Sequence, residues 1–243
     1  MDDTPLIISH RGNGSKAIEN TIEACQNAIH GGAHALEIDI RQCASGEIVV
    51  FHDFSLKRMF GKSGFVGRTS LPELKTYRYL NSAASLDTLD EFLDHFKASV
   101  PINLDAKTIH FFDFKFADKI IAIINNHGLF ETVWVSCFNP FLLQILKMKN
   151  ANIKTGYLFQ RLSWIHTSYD RITWSDAWHP HYSIVNNYLV KKAERLHKEL
   201  YVWTVNNLSV YNKIKNFPIR GIITDNVLAM RECIDGRINP DPN

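Results

Sequence analysis

The chain has 243 residues, 27 of them Lys or Arg and 25 Asp or Glu, for a formal net charge of +2. That near-balance excludes the polycation signature of a non-specific nucleic-acid binder, and a 45% apolar composition excludes extensive disorder. A chain this long fits one α/β domain of barrel size or two small domains, and buries roughly 70% of its extended surface without a disulfide or structural metal.

Leu6-Ile7-Ile8-Ser9 reads as a first strand and Asn20 to Ile29 as a first helix. Asn20 or Thr21 is placed to cap that helix, with Glu23 three residues after Asn20 as in a capping box. Ala35 to Cys43 is a second strand, and Glu47 to Phe51 a further extended run. Residues 54–85, with Gly61, Gly64, Gly67, Ser63, Ser70 and Pro72, read as a surface excursion. Leu86, Leu89, Phe92, Leu93 and Phe96 recur at helical spacing over residues 86–97, with Ser85 or Asp87 as the cap. Pro101 opens a strand from Ile102 to Lys107. A helix over Ala117 to Asn126, a strand over Thr132 to Cys137 and a helix over Pro140 to Lys149 follow, the last with proline in its favoured first turn.

Gly156 to Phe159 and Arg171 to Trp174 are short strand candidates. Residues 183–197 read as helix, Leu200 to Val205 as strand, Leu208 to Ile214 as helix and Gly221 to Thr224 as strand. Asp225 or Asn226 caps a last helix through Asp235, and residues 239–243 read as a flexible tail. With Glu47–Phe51 taken as an extension of the second strand, eight strands alternate with helices or loops. That is the arithmetic of a (β/α)8 TIM barrel. An open doubly wound sheet would carry a glycine-rich phosphate loop, and neither GxGxxG nor GxxxxGK[ST] occurs. The expectation is a single barrel domain over residues 1–238, with a small insertion at about 54–85 after the second strand. Four dispersed cysteines without a CxxC pair, an acidic amino terminus and no apolar run near ~20 residues point to a cytoplasmic protein without a membrane span.

Glu37 and Asp39 share one face of a strand whose other face is Leu36, Ile38 and Ile40. Two carboxylates on an otherwise apolar strand call for a neutralising cation, and hard divalent ions take oxygen ligands. Asn103, Asp105 and Lys107 likewise share a face, so two barrel strands can aim Glu37, Asp39 and Asp105 at one point; a solvated strand face and a local Asp105–Lys107 ion pair are the bland readings. His10 and His52 each follow a strand and are of the type that serves general acid–base chemistry near neutral pH. Arg11 and Lys107 offer charge for phosphoryl oxygens, the first as a bidentate fork and the second as a point charge. Trp203 and Asn206 end another strand as an indole wall and an amide, while Ser136 and Phe138 are either core or site. Glu19 and Asn20 open the first helix. His110 to Phe116 alternates aromatic and polar residues beside Lys107, either packing onto the barrel or forming an apolar rim for a lipid chain.

Taken together, His10-Arg11-Gly12, Glu19-Asn20-Thr21, Glu37-x-Asp39, Gly46, Val49/Val50, His52-Asp53, Asn103 to Lys107, Ser136 to Asn139, Trp203 to Asn206 and Gly221 to Asp225 resemble the short bacterial-type glycerophosphodiester phosphodiesterases. Order and spacing agree from residue 6 to about 230. The resemblance implies His10 and His52 as the acid–base pair, and Glu37, Asp39 and Asp105 as ligands of Mg²⁺ or Ca²⁺. Arg11, Lys107 and Trp203 would be substrate contacts, supported by Glu19, Asn20, Asn103, Ser136, Phe138 and Asn206. It also implies hydrolysis of small glycerophosphodiesters to glycerol 3-phosphate and an alcohol, by a monomer or homodimer, with the insertion partly covering the site. Asp105 departs from the glutamate usual at that family position and is similar to the aspartate of sphingomyelinase-D-like relatives. Lysophospholipid or sphingomyelin-type substrates therefore stand as the alternative. A retired, non-catalytic barrel would have lost some of the histidines or carboxylates, and none is missing here.

Overall fold

The computed structural model describes residues 4–12, 17–96, 100–161 and 173–237. Nine strands among these residues form one sheet: β1 (Leu6–His10), β2 (Ala35–Gln42), β3 (Ile48–Val50), β4 (Ile102–Ala106), β5 (Val133–Cys137), β6 (Lys154–Phe159), β7 (Ala177–Pro180), β8 (Glu199–Val202) and β9 (Gly221–Thr224). Eight of them run parallel, and β1 pairs with both β2 and β9, so the sheet closes on itself as a (β/α)8 barrel. β3 alone is antiparallel, a short ribbon laid on the carboxyl half of β2 with Ile40 opposite Val50.

The period of two explains where the chemistry goes. Leu36, Ile38 and Ile40, with Ile102, Leu104 and Ala106, belong to the main apolar cluster with the helix residues Leu93, Ile120 and Leu146. The alternate residues Glu37, Asn103, Asp105 and Ser136 therefore face into the barrel, where they line one cleft. Ile8, Ala35 and Ile223 plug the interior as a separate apolar group, with Trp134 and Tyr201 packed against it.

Residues 57–74 of the insertion fold as two single-turn helices, Lys57–Phe60 and Leu71–Leu74, around a 3₁₀ turn at Val66–Arg68. They carry a small core of their own. Phe60 stacks on Phe51 and Tyr79 at centroid distances of 5.3 and 4.7 Å, with Leu56, Val66 and Leu74 buried around it.

Several local expectations change. The first helix is Ile22–His30 and Thr21 is its cap, accepting from the Ala24 N–H at 3.2 Å; Asn20 serves elsewhere. The helix expected over 86–97 is Leu89–Phe96, opened by neither Ser85 nor Asp87. Thr88 and Glu91 form a reciprocal capping box there, each side chain accepting from the other's N–H at 3.2 and 2.8 Å. The strand placed at 171–174 does not form at Thr173 or Trp174, and residues 171–172 lie outside those described. The strand is instead Ala177–Pro180, whose buried histidine and terminal proline hide its strand character. Residues 183–197 divide into a 3₁₀ turn at Tyr182–Ile184 and a helix at Asn187–Arg195, because the Asn186 side chain caps the helix by accepting from the Leu189 N–H. Asn226, not Asp225, caps the last helix, Val227–Ile234. The tail at 239–243 lies outside the described residues. All four cysteines are free and buried. Among the described residues no helix is long and apolar enough to cross a membrane.

Candidate active site

The register of the parallel strands assembles the site. His10 stands opposite Glu37, Glu37 opposite Asn103, Asp39 opposite Asp105, and Asp105 opposite Ser136. Four neighbouring strands thus deliver polar side chains to one end of the barrel, the carboxyl end where barrels of this kind carry their chemistry. His52 arrives from outside the barrel, just after β3.

Glu37, Asp39 and Asp105 are all buried, and each offers a carboxylate oxygen within 4.8 Å of the others'. Burial, then the charge of Asp39, pushes the Glu37 carboxyl up to about 7. Burial also raises Asp105, against the pull of Lys107. Asp39 goes the other way: Lys107 and Arg11 outweigh its burial and hold it well below the usual carboxylate range. The Lys107 ammonium contacts Asp105 and lies 3.1 Å from Asp39 Oδ1, while Arg11 Nε lies 3.0 Å from Asp39 Oδ2. Even so, Asp105 Oδ1 and Asn103 Oδ1 are buried with no hydrogen-bond donor. Three buried carboxylates and orphaned oxygens form a donor set suited to a hard divalent cation. The aspartate at 105 still reaches this cluster despite its shorter side chain.

The backbone after β1 is bent to fit. Arg11 and Gly12 both have positive φ, +58° and +68°, and a Cβ on Gly12 would meet the Cys25 nitrogen at 2.6 Å. Only glycine lets the chain pass that close to the first helix. The Arg11 N–H donates to the Glu37 carbonyl at 2.8 Å and to Glu37 Oε2 at 3.1 Å, and the Arg11 carbonyl accepts from the Asn20 N–H at 2.8 Å. Asn20, also at positive φ (+59°), grips Asp39 from both sides: its Nδ2 donates to Oδ2 at 2.8 Å and its Oδ1 accepts the Asp39 N–H at 3.0 Å. The residue expected to cap a helix instead orients a carboxylate.

His10 and His52 each present one ring nitrogen to a carboxylate. His10 Nδ1 lies 2.7 Å from Asp225 Oδ1, across the closure between β1 and β9. Asn206 holds Asp225 in turn, donating to Oδ2 at 2.6 Å and accepting the Asp225 N–H at 2.9 Å. Burial disfavours a charged His10, but the Asp225 hydrogen bond and the charge of Glu37 prevail and raise its pKa above the ordinary value. His52 Nδ1 lies 2.7 Å from Asp53 Oδ1. Arg58, from the insertion, binds Asp53 at 2.6 and 2.9 Å and Glu19 at 2.6 and 3.1 Å, and Glu19 reaches Arg11 Nη1 at 3.2 Å.

His10, Arg11, Glu37, His52, Asn103, Asp105, Lys107, Ser136, Phe138 and Trp203 line one cleft of about 160 Å³. That is below the ~300 Å³ where drug-sized pockets begin, and suits a small polar ligand. Ser136 Oγ accepts from Asn103 Nδ2 at 2.8 Å. The Trp203 indole is fixed by donating to the His179 carbonyl at 2.7 Å and meets the Phe138 ring edge-on at 5.5 Å. Asp39, Glu19 and Asn20 are not wall residues but partners of those that are, and Asn206 reaches the wall residue His10 through Asp225. Arg11 spends Nε and Nη1 on Asp39 and Glu19, so less of its fork is open to a ligand than its sequence position suggests.

Four residues were given no site role by the sequence reading. In the sequence Asp225 is a candidate helix cap, and Asp53 enters only as the neighbour of His52. Arg58 lies in the insertion, where no local pattern distinguishes it from other surface arginines. Arg41 donates to the carbonyls of His52 (2.7 Å) and Lys107 (3.3 Å), tying both segments to β2. A carboxylate directly after a strand-end histidine was the available signal for Asp53.

The model of the glycerophosphoryl diester phosphodiesterase family matches residues 10–229. A glycerophosphodiester phosphodiesterase of Caldanaerobacter subterraneus subsp. tengcongensis is 27% identical over 229 residues, covering 90% of this chain and 93% of that protein. The glycerophosphodiester phosphodiesterase of Thermotoga maritima superposes with a TM-score of 0.78 at 28% identity, over 94% of this chain and 97% of that one. An Oleispira antarctica phosphodiesterase, solved with its product sn-glycerol-3-phosphate, shares the fold with a TM-score of 0.88 at 23% identity, over 96% and 97% of the two chains.

Proposed function

Because the chain belongs to the glycerophosphoryl diester phosphodiesterase family, we propose that its cleft hydrolyses glycerophosphodiesters to glycerol 3-phosphate and an alcohol with the help of a divalent cation. The observation that carries this reading is the convergence of two carboxylate-backed histidines on one small cleft floored by three buried carboxylates.

Glu37, Asp39 and Asp105 would hold Mg²⁺ or Ca²⁺. The ion would supply Lewis-acid charge at a non-bridging phosphoryl oxygen. Lys107 adds a fixed positive charge at the cleft wall, and Arg11 orients Asp39 while facing the same space. His10 is held toward its protonated form by Asp225, which suits it to donate a proton to the leaving alcohol. His52, with Nδ1 turned to Asp53, can take the proton of the attacking hydroxyl through its other nitrogen. Asp225 and Asp53 fix the two ring orientations. Trp203 and Phe138 form an apolar wall against which the glycerol carbons can lie. The four free cysteines accord with a cytoplasmic setting.

The direct test is release of glycerol 3-phosphate from glycerophosphocholine, with and without EDTA. Chelation should abolish turnover, and Mg²⁺ or Ca²⁺ should restore it. Full turnover after rigorous metal removal would contradict the role given to the three carboxylates.

A further inference from the structure

Beyond Lys107, between the insertion and the loop after β4, lies a second cavity of about 540 Å³. Its cationic wall is Arg41, from the carboxyl end of β2, with Arg68 of the insertion and His110 of the loop. Phe54, Phe65 and Phe116 supply apolar wall. Lys107 lines this cavity and the catalytic cleft alike, so the two spaces adjoin.

Arg41 is the unusual member. It is only 5% exposed, yet among the described residues it makes no ion pair. Its Nε and Nη1 donate to the carbonyls of His52 and Lys107, and the guanidinium lies 3.6 Å over the Phe54 ring. Nη2 is left without a protein acceptor among the described residues. The neighbouring carboxylates are held by other cations, Asp39 and Asp105 by Lys107, and Asp53 by Arg58. A buried charge without a counter-ion is costly, and an anion in the cavity would relieve it. Arg68, whose guanidinium lies 5.5 Å over the Phe65 ring, brings a second fork to the same space. The acidic wall residue Asp113 is already engaged, its two oxygens accepting from Thr108 Oγ1 at 2.7 Å and the Phe116 N–H at 3.2 Å.

We propose that this cavity binds a phosphate monoester as a second ligand, separate from the phosphate being cleaved, and that its occupancy weakens substrate binding. The first half rests on the cavity alone and the second on the phosphodiesterase reading. A monoester carries close to two negative charges near neutral pH, which suits two guanidinium forks whose planar donors fit phosphate oxygens. The aromatic walls can pack against its organic body. The sign of the coupling follows from charge. An anion beside Lys107 lowers the positive potential that draws a phosphodiester into the cleft. By linkage, a bound substrate weakens the anion to the same extent.

The experiment uses the Mg²⁺-loaded protein with phenyl phosphate as the probe. Calorimetry should find two sites per chain, one of them lost in Arg68→Ala. Competition inside the cleft occurs in both proteins, so the cavity is read as the excess effect in the wild type. That excess should raise the KM for glycerophosphocholine and level off at about fivefold. Without the probe, Arg68→Ala should turn over as the wild type does. Glycerol 3-phosphate acting like phenyl phosphate would uphold the site and make its ligand the product itself. A response to phenyl phosphate alone, lost in Phe65→Ser, would uphold it with a ring-bearing ligand. A single site per chain overturns the proposal, and so does an Arg68→Ala variant that titrates like the wild type. Two sites with no excess in KM would uphold the ligand and overturn the coupling. Two sites without turnover of glycerophosphocholine would uphold the cavity and overturn the phosphodiesterase reading.

Discussion

The two histidines of the cleft are supported by different parts of the molecule. His10 ends β1 and leans on Asp225, just after β9, which Asn206 from the loop after β8 holds in turn. His52 follows the antiparallel β3 and leans on Asp53, which Arg58 of the insertion binds. One arm is set by backbone register and the other by a side-chain chain running Asp53–Arg58–Glu19–Arg11. The difference separates what any barrel of this topology must place from what this insertion adds.

The largest effect should come from the rings themselves. His10→Ala and His52→Ala are each expected to lower kcat by about 10²–10⁴, the range of general acid–base catalysis, with far-ultraviolet circular dichroism unchanged. Wild-type turnover in either variant would end the idea of a pair. Next, Asp225→Asn should lower kcat about 10–100-fold and move the pH limb assigned to His10 toward lower pH, because the carboxylate that favours the charged ring is gone. A limb left in place would mean that another group is being titrated.

Arg58→Ala should cost less, about three- to tenfold in kcat, since Asp53 and Glu19 remain and only their shared clamp is lost. Arg58→Lys should recover only part of it, because a point charge cannot bridge two carboxylates as a guanidinium does. A loss as large as that of Asp225→Asn would make the insertion an equal partner of the barrel.

The smallest effect concerns stability and lies between the two arms, at Glu37. In metal-free protein its carboxyl is raised to about 7 from an ordinary 4.5. The folded chain therefore holds a proton that the unfolded chain has released, and this contribution is full below about 4.5 and lost as pH rises toward 7. The raised His10 contributes with the same sign. Melting of the metal-free protein should therefore fall across that window, and Glu37→Gln should raise Tm by about 2–4 °C at pH 8. A lower Tm in that variant would show that the carboxylate is held by partners and not penalised by burial.

The sequence carried the barrel because period-two alternation at Leu36 to Ile40 and Ile102 to Ala106 separates helix-facing from interior residues, and carboxylates stand out on such strands. It lost Ala177–Pro180, where burial on both faces removes alternation and proline and histidine disguise a strand. Glu37, Asp39 and Asp105 were legible as a group because two adjacent strands present them at matching register. Asp225 and Arg58 were not, since the partner of Asp225 lies 215 residues away and Arg58 sits inside an irregular insertion, 39 residues from Glu19. Asn20 was misassigned because capping is the common use of asparagine before a helix, and only tertiary contact with Asp39 shows the alternative.

The contact between His10 and Asp225 joins the first strand to the last. During synthesis, all three carboxylates, both histidines and Lys107 emerge well before the ribosome has made residue 225. A nascent chain can thus own most of its chemistry without the ring orientation that completes it. Turnover then reports barrel closure, and a protein divided between β8 and β9 should regain activity only when the two fragments reassemble.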